Sequence, residues 1–357
     1  MKVMLLTRYS RSGASSRLRY YQYLPFLKTS GIQVDTFPLF GEDYLERLNT
    51  GRSQNPASIL SAYFHRILRI ATGRGYDLLW LEYEVLPWIP DWVERILGRD
   101  GVPYVVDYDD AVFHRYDRHP KLWVRSILGR KIDAVMRNAR LVIAGNTYLY
   151  EKAVRSGAKR VEFLPTVVDA GRYHLKISYN SPVFTIGWIG SQTTALYLKP
   201  LYAVFERLRR HFEIRLVLVG GCSRDIPDTF PVQCRLWSED TEAAQMLDFD
   251  VGIMPIPDEP WAHGKCGYKL IQYMACGLPV VASRVGANIQ IVKHGINGYL
   301  ASTDNDWEQA LNALHENPLL RQSMGNRGRQ DVEAHYSLDV LAPHLVNLMR
   351  GALDKNK

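Results

Sequence analysis

Short, uniformly apolar runs alternate with longer amphipathic stretches along almost the whole chain, and this alternation limits the possible folds more than any other feature. The runs are strand-sized and most have few interleaved polar residues, so both faces of these strands are expected to be buried. Buried strands separated by helices are typical of parallel sheets in doubly wound α/β proteins. The predicted strands are Lys2–Leu6, Gln33–Phe37, Leu78–Leu81, Tyr104–Asp107, Leu141–Ala144, Val161–Leu164, Phe184–Ile189, Arg215–Val219, Val251–Met254, Val280–Ala282 and Gly298–Leu300. The predicted helices are Leu18–Ser30, Ala57–Thr72, Trp88–Arg99, Trp123–Asn138, Leu201–His211 and Asp306–Asn317.

The strand–helix pattern restarts in the middle of the chain, which predicts two domains. A length of 357 residues fits two domains of about 150 residues each. The alternation lapses around 170–182, where glycine, serine and proline collect, and a new strand begins just beyond. We therefore predict Rossmann-like domains over 1–174 and 175–335 and a C-terminal helix over 336–357. Ligands of such folds bind at the carboxyl ends of the strands.

The composition excludes several classes of protein. With 46% hydrophobic and 23% charged residues, the chain is not expected to be disordered. The 44 basic and 37 acidic residues give a net charge of +7 but no basic run, so nucleic acid is not an expected partner. Apolar runs are too short for a signal peptide or a membrane span. The four cysteines, Cys222, Cys234, Cys266 and Cys276, lack zinc spacing and are predicted to be reduced, as in a cytoplasmic protein.

The segment 251–283 carries the most chemical information. After a strand and three prolines, a glycine-containing loop ends at Gly267, and a helix is predicted to begin near Tyr268. The free N–H groups and the dipole of a helix N-terminus attract phosphate, and Lys265 and Lys269 add positive charge. We therefore predict a diphosphate site here. The alternative is that the lysines are solvated and the glycines only make turns.

The run Tyr273–Ser283 and the tail beyond it, from Val285–Gly286 to His294–Leu300, resemble the donor-site signature of retaining glycosyltransferases of family 4. The resemblance implies a GT-B fold, in which two Rossmann-like domains face a central cleft. The first domain would bind the acceptor and the second the nucleotide sugar, with the C-terminal helix returning to the first domain. The resemblance also implies retaining transfer from a nucleoside-diphosphate sugar without a metal or other cofactor.

The sequence departs from the family pattern at two acidic positions. The family usually carries two glutamates eight positions apart, and here these positions hold Gly264 and Gln272. We expect Gln272 to bind the ribose through uncharged hydrogen bonds, and Lys265 or Lys269 to stabilise the diphosphate, Lys269 thereby counting as catalytic. The basic pair expected after the first strand of the second domain is also missing. Gly190 and Ser191 stand there, either binding phosphate or capping a helix.

In the first domain, Asp109 and Asp110 follow a predicted strand and are the catalytic candidates on the acceptor side. A carboxylate there could orient an acceptor hydroxyl or stabilise positive charge in the transition state. The alternatives are helix capping and a salt bridge. The run Asp107–Asp109 also matches a short metal-binding DxD pattern, but we predict no metal site because the resemblance implies metal-independent transfer.

The loop after the first strand supplies further candidates. Gly13 permits close approach, and Arg17 is predicted to contact the donor phosphate. Arg19 is placed on the acceptor side, together with Glu82 and Glu84 after another strand. The alternative is that the arginines are ordinary surface groups.

The first domain also contains two basic amphipathic segments, 57–72 and 121–140. Such helices can lie on an anionic membrane, although a solvated helix face is equally compatible with the pattern. We therefore predict a cytoplasmic hexosyltransferase, peripheral to the membrane, that moves a sugar to a hydroxyl of a glycan or lipid-linked glycan in surface polysaccharide or glycoconjugate synthesis. The alternatives are a non-catalytic GT-B partner protein and a GT-B sugar-nucleotide epimerase.

Overall fold

The computed structural model describes residues 1–99, 102–222 and 230–354, which form two α/β units. The first unit contains Met1–Thr166, Gly264–Cys266 and the chain from Leu341 onward. The second contains Val167–His263 and Gly267–Val340. Most of the C-terminal helix is therefore part of the first unit.

The first unit is built on a parallel sheet. Its strands are β1 (Lys2–Leu6), β2 (Gln33–Thr36), β3 (Leu78–Glu82), β4 (Tyr104–Tyr108), β5 (Leu141–Ala144) and β6 (Val161–Phe163). Its helices are α1 (Ala14–Arg19), α2 (Leu24–Thr29), α3 (Glu42–Asn49), α4 (Pro56–Thr72), α5 (Trp92–Arg99), α6 (His114–Asp117), α7 (Leu122–Leu128), α8 (Lys131–Asn138) and α9 (Thr147–Arg155), with a 3-10 turn at Tyr21–Tyr23. In the described residues the strand order is β2-β1-β3-β4-β5-β6.

The second unit repeats this architecture. Its strands are β7 (Phe184–Gly190), β8 (Ile214–Gly220), β9 (Val232–Arg235), β10 (Val251–Met254), β11 (Val280–Ser283) and β12 (Gly298–Ala301). Its helices are α10 (Gln192–Ala195), α11 (Tyr202–Leu208), α12 (Glu242–Met246), α13 (Pro260–His263), α14 (Tyr268–Ala275), α15 (Asn288–Ile291), α16 (Asp304–Glu316) and α17 (Pro318–His335), with 3-10 turns at Ala170–Arg172 and Leu196–Leu201. The last helix is α18 (Leu338–Gly351). The described strands run parallel in the order β12-β11-β10-β7-β8-β9.

Each sheet has one topological switch point, where successive connections leave in opposite directions. In the first unit this point lies between β1 and β3, and in the second between β7 and β10. Ligands of open α/β sheets bind outside the carboxyl ends of the strands at such points. The loops after β1, β3, β7 and β10 are therefore the places to search for a site.

The eleven strands predicted from the sequence are all present, and nine of them are largely buried as expected. In β7, for example, Ile186 and Trp188 belong to one apolar cluster and Ile189 to another, because helices cover both faces of the sheet. β2 and β6, at the two edges of the first sheet, are half-buried or exposed. β9 was not predicted. It is a short edge strand of mainly polar residues, two of the four exposed, and its sequence lacks an apolar run.

Two predicted helices are interrupted. Instead of one helix over Leu18–Ser30, the chain forms α1, a 3-10 turn and α2, with Pro25 in the first turn of α2. Proline suits the first turn of a helix and is disfavoured in its interior. The helix predicted over Trp123–Asn138 is likewise divided into α7 and α8 around Gly129.

The prediction of four reduced cysteines is wrong for two of them. Cys222 and Cys234 form a disulfide, with a Cα–Cα distance of 5.7 Å that lies within the bridging range. Pairing of β8 with β9 brings the two together, since Leu218 is in register with Cys234. Cys266 and Cys276 are free and buried.

Candidate functional site

In the second unit, the loop after β7 and the start of α14 bring a lysine to the switch point. Gly267 adopts a left-handed backbone (φ +68°) and begins α14 without a side-chain cap. Lys269 is the second residue of the helix, and its Nζ lies 4.2 Å from the Trp188 ring centroid and 3.5 Å from Thr194 Oγ1. A Cβ on Gly190 would lie only 2.6 Å from this ammonium group, so glycine makes the approach possible. The predicted donor residues Gly190, Gly267 and Lys269 are thus brought together.

Ser191 and Tyr268 flank this group. Ser191 precedes α10, and its carbonyl accepts backbone hydrogen bonds from Thr194 and Ala195. Its hydroxyl lies 3.3 Å from Thr194 Oγ1, so it takes part in beginning the helix. The Tyr268 hydroxyl instead faces Tyr173, 3.4 Å away.

A buried polar network surrounds Gln272. The Gln272 amide donates to the Tyr173 hydroxyl at 3.1 Å, and that hydroxyl donates to Glu242 Oε1 at 3.0 Å. The indole N–H of Trp237 donates to the other Glu242 oxygen at 2.7 Å. Burial raises the pKa of Tyr173 well above its ordinary value, so the hydroxyl stays protonated. The sequence prediction missed Tyr173, because nothing in its neighbourhood marks it as a partner of a residue 99 positions away.

Lys265 takes a different place from Lys269. Residues 264–266 pack as part of the first unit, where Lys265 Nζ lies 3.3 Å from Asp110 Oδ1. The Lys265 carbonyl accepts a hydrogen bond from the Asn146 amide at 3.0 Å. A Cβ on Gly264 would lie 2.4 Å from the backbone nitrogen of Ala111, so only glycine fits there. The missing glutamate at 264 therefore coincides with close backbone packing.

Asp109 and Asp110 lie together just beyond β4. The hydroxyl of Tyr83 donates to Asp109 Oδ1, and the Asp109 carbonyl accepts from Cys266 Sγ at 3.2 Å. Tyr83 itself has a left-handed backbone (φ 63°), a strained conformation of the kind that collects at functional sites. Burial raises the pKa of Asp110; Lys265 opposes this effect, and the charge of Asp109 reinforces it. The predicted acidic pair is present and partly exposed.

Arg19, predicted on the acceptor side, is buried and hydrogen-bonded inside the first unit. It is 1% exposed, and its guanidinium donates from Nε and Nη2 to Asp107 Oδ1 at 3.1 and 2.6 Å, and from Nη1 to the Leu164 carbonyl. Burial raises the pKa of Asp107 to about 6 although Arg19 lowers it. Asp107, the first carboxylate of the DxD pattern, is therefore already engaged by an arginine.

Glu84 is likewise engaged inside the first unit. It forms a buried ion pair with Lys131 at 2.6 Å, both side chains being 1% exposed, and accepts from the Tyr116 hydroxyl at 2.8 Å. Glu84, predicted on the acceptor side, is thus held by an internal ion pair.

Glu82 ends β3 at the switch point and is 2% exposed. Its Oε2 accepts from the Arg8 backbone N–H and the Ser16 hydroxyl, both at 2.7 Å, whereas Oε1 has no partner among the described residues. Burial raises its pKa to about 7. Nearby, Arg17 is 5% exposed. Gly13 packs so closely that a Cβ would lie 2.5 Å from the Cβ of Tyr9.

Comparisons with known proteins agree with this architecture. Residues 183–317 match the family model described as "Glycosyl transferases group 1". Over 85 residues the chain is 37% identical to the D-inositol 3-phosphate glycosyltransferase of Pseudarthrobacter chlorophenolicus, a match that covers 23% of this chain and 19% of that protein. Over 95 residues it is 32% identical to the N-acetyl-alpha-D-glucosaminyl L-malate synthase of Bacillus anthracis, covering 25% of each. The matches thus span about a fifth to a quarter of these relatives.

Solved structures resemble the chain over nearly its full length. Sucrose-phosphate synthase from Thermosynechococcus elongatus has a TM-score of 0.74 at 17% identity, covering 98% of both chains. Anabaena HepE, solved in complex with UDP-glucose, has a TM-score of 0.70 at 14% identity, covering 98% of this chain and 100% of that one. The likeness confirms the predicted α/β architecture as the GT-B fold. The match over 183–317 relates that segment of the second unit to the group 1 glycosyltransferases, and the solved structures show the fold of the chain.

Proposed function

We propose that this protein transfers a sugar from a nucleoside-diphosphate sugar to a hydroxyl group of a glycan or lipid-linked glycan, with retention of the anomeric configuration. The observation that carries the proposal is the Lys269 ammonium at the switch point of the second unit, beside a glycine that leaves it room. A cation there suits the leaving diphosphate, whose charge grows in the transition state. HepE, whose structure contains UDP-glucose, makes a UDP-sugar the first donor to test.

The remaining donor contacts are inferred from the network around Gln272. An amide side chain can donate to and accept from ribose hydroxyls. Tyr173 holds the Gln272 amide, and Glu242 fixes the Tyr173 hydroxyl, so the amide is oriented before a ligand arrives. Such orientation reduces the entropy lost on binding.

The acceptor side of the proposal rests on Asp109 and Asp110. Both follow β4 in the first unit, and Lys265 lies within 3.3 Å of Asp110. A carboxylate can accept a hydrogen bond from a hydroxyl group and orient it. We assign Asp109 and Asp110 to positioning the acceptor hydroxyl, while the leaving phosphate takes its proton.

The donor assignment is tested by calorimetric titration of UDP and GDP into the wild type, Lys269→Ala and a matched control, Lys199→Ala. Lys199 is exposed and belongs to the same unit. Loss of a charge-assisted hydrogen bond costs about 1.5–3 kcal/mol, so Lys269→Ala should bind the preferred nucleotide about 10- to 150-fold more weakly. Equal affinity in all three proteins would refute the assignment.

Activity is tested by release of nucleoside diphosphate from UDP-glucose and GDP-mannose, with and without glycan acceptors. Release that depends on an acceptor and is lost in Lys269→Ala supports transfer. Nucleotide binding without any release would favour the non-catalytic partner protein. Conversion of the sugar nucleotide in the absence of an acceptor would favour the epimerase.

A membrane-bound acceptor is the finer part of the proposal. In the described residues no helix is long and apolar enough to cross a bilayer. Two helices of the first unit nevertheless expose large apolar side chains: Leu60 (71%) and Phe64 (64%) on α4, and Leu122 (73%) and Trp123 (60%) on α7. Together with basic neighbours such as the exposed Arg69, these side chains suit an anionic membrane surface.

Flotation with lipid vesicles tests this surface. The wild type should float with vesicles containing phosphatidylglycerol and less with pure phosphatidylcholine. Phe64→Ser and Trp123→Ser should reduce flotation. Leu319→Ser, which removes an equally exposed (76%) leucine from the second unit, should not. Equal flotation of all variants, or none for the wild type, would contradict membrane docking.

A further inference from the structure

A half-buried arginine beside the first switch point has guanidinium nitrogens that nothing in the described part of the chain engages. Arg8 lies two residues beyond β1, where its backbone N–H donates to Glu82. Its guanidinium atoms Nε and Nη1 are shielded from water and have no hydrogen-bond partner among the described residues. Buried polar groups are rarely left in this state, and those that are often serve a ligand or an ordered water.

Among the described residues, the neighbouring carboxylates do not form ion pairs with the Arg8 guanidinium group. Its charge interacts with Glu82 and Glu84, but in the described part of the chain neither forms an ion pair with it. Glu84 is already held by Lys131 and Tyr116. Glu82 is already held by a backbone N–H and a serine hydroxyl. The guanidinium therefore keeps its positive charge and its donors for another group.

The surroundings of Arg8 suit a polar ligand. Two residues further on, the buried Ser10 hydroxyl also lacks a partner in the described residues. The Tyr9 ring lies 5.8 Å from the Arg8 guanidinium carbon and 6.2 Å from the rings of Phe40 and Tyr44. Arg8 and Ser10 thus offer a charged and a neutral donor two residues apart, on either side of an aromatic residue.

We propose that Arg8 and Ser10 bind an oxyanionic group, a phosphate or a carboxylate, carried by the acceptor. A guanidinium forms paired hydrogen bonds with such groups, and the serine hydroxyl adds a third. The inference rests on the proposed function only in taking the ligand to be the sugar acceptor. It narrows that acceptor to an anionic molecule, either free or borne by a lipid.

The test is a titration of inorganic phosphate and of acetate into the wild type, Arg8→Gln, Arg8→Lys and Arg11→Gln. UDP is added in excess so that the proposed donor site of the second unit does not take up the probe. Arg11→Gln is the control, because it removes the same charge from an exposed residue of the same loop. Vesicles with and without phosphatidic acid provide a parallel arm that distinguishes a lipid-borne phosphate from a free one.

At least one probe should bind the wild type. Its affinity for Arg8→Gln should be at least tenfold lower, and its affinity for Arg11→Gln should equal that for the wild type. Arg8→Lys keeps the charge without the paired donors, so it should bind with intermediate affinity and remain informative if Arg8→Gln fails to fold. Failure of both probes and the vesicles to bind the wild type, or an equal loss in the Arg8 and Arg11 variants, would overturn the inference. UDP affinity, measured in the same proteins, tests the donor site separately.

Discussion

Removing the Tyr173 hydroxyl should affect both stability and nucleotide selectivity. The substitution Tyr173→Phe keeps the ring but deletes the oxygen that accepts from Gln272 at 3.1 Å and donates to Glu242 at 3.0 Å. A hydrogen bond to a charged group contributes about 1.5–3 kcal/mol, and a neutral one about 1 kcal/mol. Because both partners are buried, we expect the free energy of unfolding to fall by about 3 kcal/mol.

The control for this prediction is Tyr179→Phe. Tyr179 belongs to the same unit, is 6% exposed, and donates one hydrogen bond to the Gly277 carbonyl at 2.6 Å. Its loss should destabilise the protein by about 1–2 kcal/mol, since a single neutral hydrogen bond is removed. Urea denaturation of the three proteins measures the difference.

Selectivity between UDP and 2′-deoxy-UDP distinguishes a network that positions the nucleotide from one that only stabilises the fold. If Gln272 contacts the ribose and Tyr173 orients it, then Tyr173→Phe should weaken UDP binding about tenfold but 2′-deoxy-UDP binding much less. Tyr179→Phe should leave the ratio of the two affinities unchanged. Should both variants shift UDP and 2′-deoxy-UDP equally, the ribose assignment of Gln272 would be wrong even if the stability changes were as expected.

Three further predictions concern other parts of the molecule. Cys222→Ser, Cys234→Ser or a reductant should lower the free energy of unfolding by about 3 kcal/mol in urea denaturation, because the bridge closes a loop across 12 residues; an unchanged midpoint would mean that the bridge adds no stability. Burial raises the pKa of Glu82 from 4.5 to about 7, so the folded protein holds a proton that the unfolded chain releases, and stability should fall as pH rises through this range. The free energy of unfolding should fall less between pH 5 and pH 8 in Glu82→Gln than in the wild type, by up to about 3 kcal/mol. If the two proteins have the same pH profile of stability, Glu82 is already ionised in the wild type. Asp109→Asn and Asp110→Asn should each lower turnover at least tenfold while UDP affinity stays within twofold; normal turnover in both would remove them from the acceptor site.

The strands of the two sheets could be predicted because each depends on a short stretch of sequence. A buried parallel strand needs a short apolar run, and most of the predicted strands have one. β9 could not be found in this way, since its residues are largely exposed at the edge of the sheet. The Cys222–Cys234 bridge was missed for the same reason, because it depends on the pairing of β8 with that strand.

The site could be predicted only in part. Glycines and lysines near a helix start indicated Lys269, and an acidic run after a strand indicated Asp109 and Asp110. Sequence alone could not tell which charges would find partners inside the fold. Arg19 is saturated by Asp107, whereas Arg8, eleven positions earlier, has no counterpart in the described residues. Whether an arginine is paired depends on contacts between residues far apart in the sequence. Such contacts form only when the chain packs.

The two switch points explain why chemistry collects after β1 and β7. Each of these strands has neighbours reached by connections that leave in opposite directions, so neither connection covers the loop at its carboxyl end. The two loops differ in the side chains that they carry. After β7, Gly190 leaves room for the Lys269 ammonium, which we propose binds the diphosphate. After β1, Arg8 brings a planar donor that suits one oxyanion, and its unpaired nitrogens are costly to bury unless a ligand binds them. The same topology is therefore compatible with both proposed sites, a donor site in one unit and an acceptor site in the other, and each loop carries a different cation.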